Sequence, residues 1–397
     1  MLSYLSNKFR RITTNQLYLA EIDGMRFLSL SLVILFHIRG YFLEKTTIRF
    51  TDNPDSYYWL NRFFINADRS VPLFFAISGF ILAVPFAHHY INQGKKPNLK
   101  QYYLRRVTRL EPPYFIVMIL IFLAQILLGN YTFRGLLPSL GASLIYSHNL
   151  IFHHTPLVTV VAWTLEVEIQ FYSVAPFIFR VLALPQLIRR SLITALIIMF
   201  VVVQHLYPPS FLSIYGSAQH FLAGILVADF YVCGFAIDFF RKKWAGPVAL
   251  VLLLTMFLMP RWEDTNASGL LPLAILFPFM IGTLYYIILR NELVKKVFSY
   301  KFIPIIGGMC YTIYLIHYTV ISMIGRIMVK VHFTNYYLPN LALQFILNII
   351  PILLISSLFY LYIERPFMSK KWLEKLMKRD KKQEETNVLR EETMPIK

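Results

Sequence analysis

The chain has 397 residues, 57% of them hydrophobic and 15% charged, with a formal net charge of +18 and a mean hydropathy of +0.54. Soluble domains of average make-up are about 45–50% apolar and about 25% charged, so two soluble domains of this length are excluded and lipid is the solvent for most of the chain. The charge suggests nucleic acid only until its distribution is read, because the basic residues sit in short runs between long apolar stretches.

Residues 1–20 are basic and polar and contain no short apolar core followed by a small-residue cleavage site. We expect no removable signal peptide, a cytoplasmic N-terminal segment, and a first span that acts as the targeting signal. Apolar stretches then fall near 24–43, 71–90, 112–130, 161–183, 190–206, 216–236, 245–260, 269–289, 303–329 and 338–363. Each approaches the ~20 residues that carry a helix across about 30 Å of hydrocarbon. The expected fold is therefore all-α: a polytopic transmembrane bundle of about ten spans with both termini cytoplasmic. With that start, the inside segments collect Lys95, Lys96, Lys100, Arg105, Arg106, Arg109, Arg189, Arg190, Arg241, Lys242, Lys243, Lys295 and Lys296. Lys8, Arg10, Arg11 and the basic tail join them. The outside segments hold Lys45, Arg49, Arg62, Arg69, Arg134, Arg261 and Lys330. This is the positive-inside asymmetry, and it explains the net charge without a nucleic-acid partner.

In the first span, Asp23 and Arg26 are three apart and share a face. His37 follows Arg26 by eleven residues, about three turns, on the same face and roughly 16 Å further along the axis. Ionisable residues inside spans are costly and mark function by default. The second span contains Ser78-Gly79-Phe80, whose small residues also suit helix–helix contact. At the mouth of the third, Arg105-Arg106-Val107-Thr108-Arg109 offers guanidinium forks suited to phosphate oxygens; an ordinary positive-inside cluster reads the same way.

Residues 131–160 contain an apolar piece too short to span, 136–145, then His148, His153 and His154, and read as re-entrant or interfacial. The next span opens Trp163-Thr164-Leu165-Glu166-Val167-Glu168, continuing to Gln170-Phe171-Tyr172. Glu166 and Glu168 point to nearly opposite faces. Glu166 reads as a cap at a helix start. Glu168 and His37 lie at similar depth below the outer surface, so Glu168 is expected to orient His37 by taking one ring N–H, leaving the other nitrogen as a base. Tyr314 and His317 share a face of the ninth span, as packing or as substrate contacts. Residues 368–397 begin as a basic amphipathic stretch (Lys370, Lys371, Trp372, Leu373, Leu376, Met377) suited to an anionic inner leaflet and end in a mixed-charge run that reads as disordered. Cys233 and Cys310 give no disulfide or zinc spacing, and no metal ligand set is evident.

Seven motifs occur in order: Ile22-Asp23-Gly24-Met25-Arg26, Phe36-His37, 73–80, Arg105-Arg106 with Arg109, Trp163-Thr164-Leu165 with Glu168 and Tyr172, Tyr314-Leu315-Ile316-His317, and Ile363-Glu364-Arg365-Pro366-Phe367. Together they resemble the acyltransferase-3 family of integral membrane O-acyltransferases, over residues 22–367. The resemblance implies a transmembrane acyltransferase domain over about 21–367. It implies transfer of an acetyl or other short acyl group from cytoplasmic acyl-coenzyme A, a co-substrate rather than a tightly bound cofactor. The acceptor would be a hydroxyl of a lipopolysaccharide, capsular or other cell-envelope glycan, or a glycoside, and the location a bacterial cytoplasmic membrane. It assigns His37 a catalytic role with Glu168 and Arg26, and makes Arg105, Arg106 and Arg109 acyl-donor residues. Asp23, Ser78, Trp163, Tyr172, Tyr314 and His317 are candidate substrate contacts. Three positions depart from the family pattern. Ser70-Val71-Pro72 stands where Gly-Val-Asp is common, Glu111 replaces an aromatic before Pro112, and Thr164 replaces a serine while keeping the hydroxyl. Relatives often carry an extracytoplasmic hydrolase-like domain. None is expected here, so the chain would act alone or with a separate partner. The alternative from another class is a transporter or flippase of a glycan or lipid-linked sugar, using the same buried His, Glu and Arg. Its mark would be an inverted repeat with matching broken spans, which the sequence does not show.

Overall fold

A computed structural model describes Phe9, residues 18–261 and residues 268–368. Lys8, Arg10, Arg11 and the stretch from Lys370 to the C-terminus therefore lie outside the described residues. Among those described, all regular structure is helical and no strand occurs. Each of the ten apolar stretches falls on helix. Six helical segments are long and apolar enough to cross a membrane: Ala20–Lys45, Tyr58–Asn92, Leu99–Leu127, Gln186–Leu206, Leu271–Arg290 and Tyr337–Phe367. A seventh arises if the bent pair Phe302–Gly308 and Cys310–Met328 counts as one span. Ala218–Cys233 and Ala245–Leu258 are apolar but shorter. The outer surfaces of these helices expose large apolar side chains, among them Leu127, Leu187, Val251, Leu354 and Leu358, which water would not tolerate over so wide an area. The chain is an integral membrane protein.

Helix α1, Ala20–Lys45, carries Glu21 and Asp23 in its first turn and Lys45 in its last, matching the helix dipole at both ends. It continues through α2 (Tyr58–Ile65) to α3 (Ser70–Asn92). Helix α4, Leu99–Leu127, starts at Asn98, whose side chain accepts the Gln101 N–H, an ordinary N-cap. The chain then forms the short α5 (Phe133–Leu144) and α6 (His148–Phe152) before α7 (Trp163–Ile178). The piece expected to be interfacial is thus two short helices. Helices α8 (Gln186–Leu206), α9 (Ala218–Cys233), α10 (Ile237–Arg241), α11 (Ala245–Leu258), α12 (Leu271–Arg290) and α13 (Glu292–Phe298) follow. Then come α14 (Phe302–Gly308), α15 (Cys310–Met328) and α16 (Tyr337–Phe359), a π-helical turn Tyr360–Glu364, and α17 (Arg365–Phe367).

Two packed clusters divide the bundle. One gathers Met25 and Leu32 of α1 with Phe75 and Phe80 of α3, Phe171 of α7, Phe221 and Ile225 of α9, and Ile281 and Tyr285 of α12. The other gathers Leu30, Val33 and Ile34 of α1 with Val117 and Met118 of α4, Ile313 and Leu315 of α15, and Ile352 of α16. Helix α1 contributes opposite faces to both and is the seam between them. Close backbone contact tightens the first half and ties the second half to the seam. A Cβ on Gly224 of α9 would lie 2.0 Å from the Ala76 carbonyl oxygen of α3, and one on Gly307 of α14 would lie 1.7 Å from the Asp23 carbonyl oxygen of α1. Only glycine allows helices this near, the small-residue packing expected where lipid leaves no hydrophobic drive between helices. Between α14 and α15 the axis bends by 75°, immediately after Gly307-Gly308. In the first half, Asp229 of α9 is fully buried and accepts from both Arg189 and Arg190 of α8, so these two cations also serve as a packed contact between the two helices.

Candidate functional site: two cavities joined by a pair of imidazoles

At the seam lies a cavity of about 130 Å³ lined by residues of α1, α3, α4, α7, α14 and α15. Arg26 enters it from α1, held by a 2.5 Å ion pair with Asp23 one turn earlier. Arg106 and Arg109 enter from α4, three residues apart and so on one face. The Arg106 guanidinium lies over the Tyr102 and Tyr172 rings, 5.8 and 5.5 Å from their centroids. Such stacking fixes the fork without consuming its donors. Among the described residues, the buried Nε atoms of Arg106 and Arg109 have no hydrogen-bond partner. The cavity therefore has cationic donors at one end that are unspent.

Glu168 faces those cations. Its two carboxylate oxygens accept from the Ser78 hydroxyl of α3 and the Tyr172 hydroxyl, each at 2.7 Å. Thr164 and Tyr314 are joined by a 2.9 Å hydroxyl–hydroxyl hydrogen bond and complete the wall towards α15. Glu364, on the π-helical turn, is fully buried and accepts from the Thr312 hydroxyl; its charge acts on Arg109. Tyr311 donates to the Leu110 carbonyl at 2.7 Å, pinning α15 to α4 beside the cavity.

A second cavity, of about 590 Å³, lies at the other ends of the same helices. Its wall takes Tyr41 to Lys45 from α1, Ile121 to Leu128 from α4, and Tyr318 to Arg326 from α15, together with residues 155–160. On α1, the fifteen positions from Arg26 to Tyr41 put the two cavities about 22 Å apart along the axis. His37 sits between them. Its ring packs edge-on against Tyr318 of the larger cavity, centroids 5.1 Å apart, and tilted against His317 at 5.2 Å. His317 in turn is 5.6 Å from the Tyr314 ring of the smaller cavity. His317 is fully buried, and its Nδ1 lies 2.7 Å from the Tyr314 carbonyl and 3.2 Å from that of Ile313. Carbonyls only accept, so Nδ1 carries a proton, and in the neutral ring Nε2 then holds the lone pair. Among the described residues Nε2 has no partner.

Arg26, Ser78, Arg106, Arg109, Glu168, Tyr172 and Tyr314 are thus brought into one cavity, with Asp23 braced on Arg26. The structure places four expected groups otherwise. Glu168 does not orient His37: its oxygens are taken by Ser78 and Tyr172, and the contacts from α7 to His37 run through Tyr314 and His317. Equal depth fixed the level of the two groups and left their direction open. Arg105 does not join the cavity; it is exposed and donates to Gln101 at 3.3 Å, one helical step of 100° from Arg106. Trp163 packs edge-on against Phe75 outside the cavity lining. His317 contacts His37 and does not line either cavity. Glu166 is a cap, as read, but of a different helix: it accepts the Asn149 and Leu150 N–H groups at the start of α6 and the Asn149 side chain.

Glu364 enters the sequence only as part of a motif, and neither it nor Thr312 nor the Gly307-Gly308 bend is given a role there. A carboxylate at the end of an apolar run and a paired glycine inside one were the available signals. Among the described residues no three His, Cys, Asp or Glu side chains converge as a metal site would need.

The acyltransferase-3 family model, described as an acyltransferase domain, matches residues 19–361. The chain is 25% identical over 379 residues to the peptidoglycan O-acetyltransferase OatA of Listeria monocytogenes serovar 1/2a, covering 88% of this chain and 56% of that protein. It is 22% identical over 383 residues to the O-acetyltransferase OatA of Staphylococcus aureus strain NCTC 8325, covering 89% and 58%. The chain therefore spans a little over half the length of these curated relatives. No solved structure matches it.

Proposed function

Because this chain belongs to the acyltransferase-3 family, we propose that it transfers an acetyl or other short acyl group from acyl-coenzyme A to a hydroxyl of a cell-envelope glycan. The glycan class rests on the relatives, one of which is named for peptidoglycan O-acetylation. In this reading the helical domain, about 21–367, makes about ten spans, the two shorter apolar helices and α7 included. Both termini face the cytoplasm of a bacterial inner membrane, so Arg106 and Arg109 stand at the cytoplasmic end. The flanks 1–20 and 368–397 are cytoplasmic segments.

The observation that carries the proposal is the position of His37 between two cavities at opposite ends of α1, α4 and α15. The smaller cavity, at about 130 Å³, falls below the ~300–1,000 Å³ of pockets that enclose a whole ligand. It suits the acyl end of a thioester arm, with the charged nucleotide left at the mouth. The unspent Nε donors of Arg106 and Arg109 suit the donor's anionic oxygens, and Arg26, held in place by Asp23, positions the arm. Glu168 fixes the Ser78 and Tyr172 hydroxyls and sets the polar wall facing the thioester.

The acceptor comes from the opposite side. His37 removes the hydroxyl proton as the oxygen bonds to the thioester carbonyl carbon. The C–S bond breaks, the proton passes to the departing sulfur, and the products are the ester and free coenzyme A thiol. No metal or tightly bound cofactor is required by this sequence of steps.

The test is transfer of radiolabelled acetyl from coenzyme A to native envelope glycan in membranes carrying wild type or His37→Ala at matched protein level. Label in wild type and a loss of at least about a hundredfold in the variant is expected, the size of effect typical of general-base removal. Equal label in both overturns the role of His37. No label with either overturns the acyl-donor assignment.

A further inference from the structure

From the chemistry of its wall, we infer that the 590 Å³ cavity is the binding site for one sugar ring of the acceptor glycan; this rests on the acyltransfer reading above. The volume lies within the range of pockets that hold a small ligand. Sugars are recognised by two things together: aromatic rings under their C–H faces and planar polar groups for their hydroxyls. The cavity supplies both. Tyr41, Tyr131 and Tyr318 bring rings from three separate segments.

A polar ladder crosses the wall from α15 to the end of α4. Arg326 donates to the Asn130 carbonyl oxygen at 2.9 Å, and the Asn130 amide donates to the Gln125 carbonyl oxygen at 2.6 Å. The ladder fixes the orientation of each amide, so the Gln125 NH₂ is left as a donor for a ligand oxygen. Glu44 and Lys45 pair at 2.6 Å, which keeps that edge of the cavity close to neutral. The site is therefore built for hydroxyl and amide oxygens rather than for an apolar chain. Tyr318 belongs both to this wall and to the edge-on contact with His37. A sugar resting on Tyr318 has its hydroxyls beside the proposed base.

The experiment uses full-length protein in proteoliposomes, with radiolabelled acetyl-CoA and glycan strands solubilised from the envelope of the producing organism. Thr319→Trp fills the cavity and Gln125→Leu removes the donor amide. We expect each to raise KM for glycan about tenfold or more while KM for acetyl-CoA stays within about twofold. Wild-type labelling with both variants unchanged in glycan KM overturns the cavity assignment and leaves the acyltransfer reading standing. Failure of wild type to label any glycan overturns the acyltransfer reading, and this site with it. If Thr319→Trp does not fold, Gln125→Leu decides, since its side chain lies on the cavity wall and is not buried in the core.

Discussion

Gly307→Ala is the smallest change that should separate the two halves of the site. The added Cβ would stand 1.7 Å from the Asp23 carbonyl oxygen and 2.6 Å from its carbon. Ordinary contact begins at 3.4 Å, and both partners are backbone, so no side chain can rotate away. Helix α14 must move from α1 by most of the missing 1.7 Å. Overpacking of this kind costs about 1–3 kcal/mol or more. The functional consequence should be larger than the loss of stability. Gly307 and Gly308 line the smaller cavity, and Asp23 holds Arg26 in it. A shift of about 1 Å in positioning groups costs on the order of a hundredfold in rate. The assay pairs thermal unfolding in detergent with acetyl transfer at matched folded protein. Gly141→Ala is the control, because nothing lies within 4 Å of its Cβ and it sits inside α5. It should be neutral or stabilise by up to about 1 kcal/mol. A Gly307→Ala protein with wild-type melting and wild-type turnover would refute the claim that this contact sets the cavity.

Two further outcomes follow from named contacts. Arg105→Ala should leave KM for acetyl-CoA near wild type, whereas Arg106→Ala should raise it about tenfold or more and flatten its salt dependence; equal effects of the two would show that the basic run acts only through net charge. On the larger-cavity side of the bundle, burial alone would raise the Asp52 carboxyl. The Tyr337 N–H and the Tyr57 hydroxyl, both at 2.8 Å, outweigh it and hold Asp52 below its ordinary value of 3.8. A carboxylate depressed in the folded state stabilises above its unfolded value and loses that contribution as pH falls through the folded one. The melting temperature should therefore drop below about pH 3.8, and Asp52→Asn should lower it at neutral pH and reduce the additional acid loss. An unchanged acid limb in the variant would place the sensitivity elsewhere.

Much of the helical framework was legible because lipid imposes it. A stretch of apolar residues long enough to cross must be helical, so every marked stretch is helix even where the helix is too short to count as a span by itself. The limits of helices were less legible, for a local reason. Asn98 caps α4 well before the apolar run begins at Pro112, and the polar turns between them carry Arg106 and Arg109. A hydropathy reading places those arginines at a mouth; the helix carries them into the wall of a cavity.

The site was legible to the extent that helical spacing fixes direction relative to a neighbour on the same helix. Arg106 with Arg109, and Asp23 with Arg26, follow from a three-residue step, and both pairs are found. Glu168 with His37 needed the rotation of α7 about its axis relative to α1, which no spacing within either helix contains. That rotation depends on what else α7 touches: Glu166 captures the start of α6, and the step of two residues then turns Glu168 towards Ser78 and Arg106. The buried acid that satisfies a loop thus dictates where the acid in the cavity points. The same coupling explains why His37 faces His317. Once Tyr314 is bonded to Thr164 of α7, the next turn of α15 puts His317 against α1, and a neutral imidazole with a fixed Nδ1–H stands where a carboxylate was expected. A carboxylate partner strengthens a base because its negative charge stabilises the cation that forms. In the reaction proposed above, a base beside a neutral ring has no such help and hands its proton to the departing sulfur.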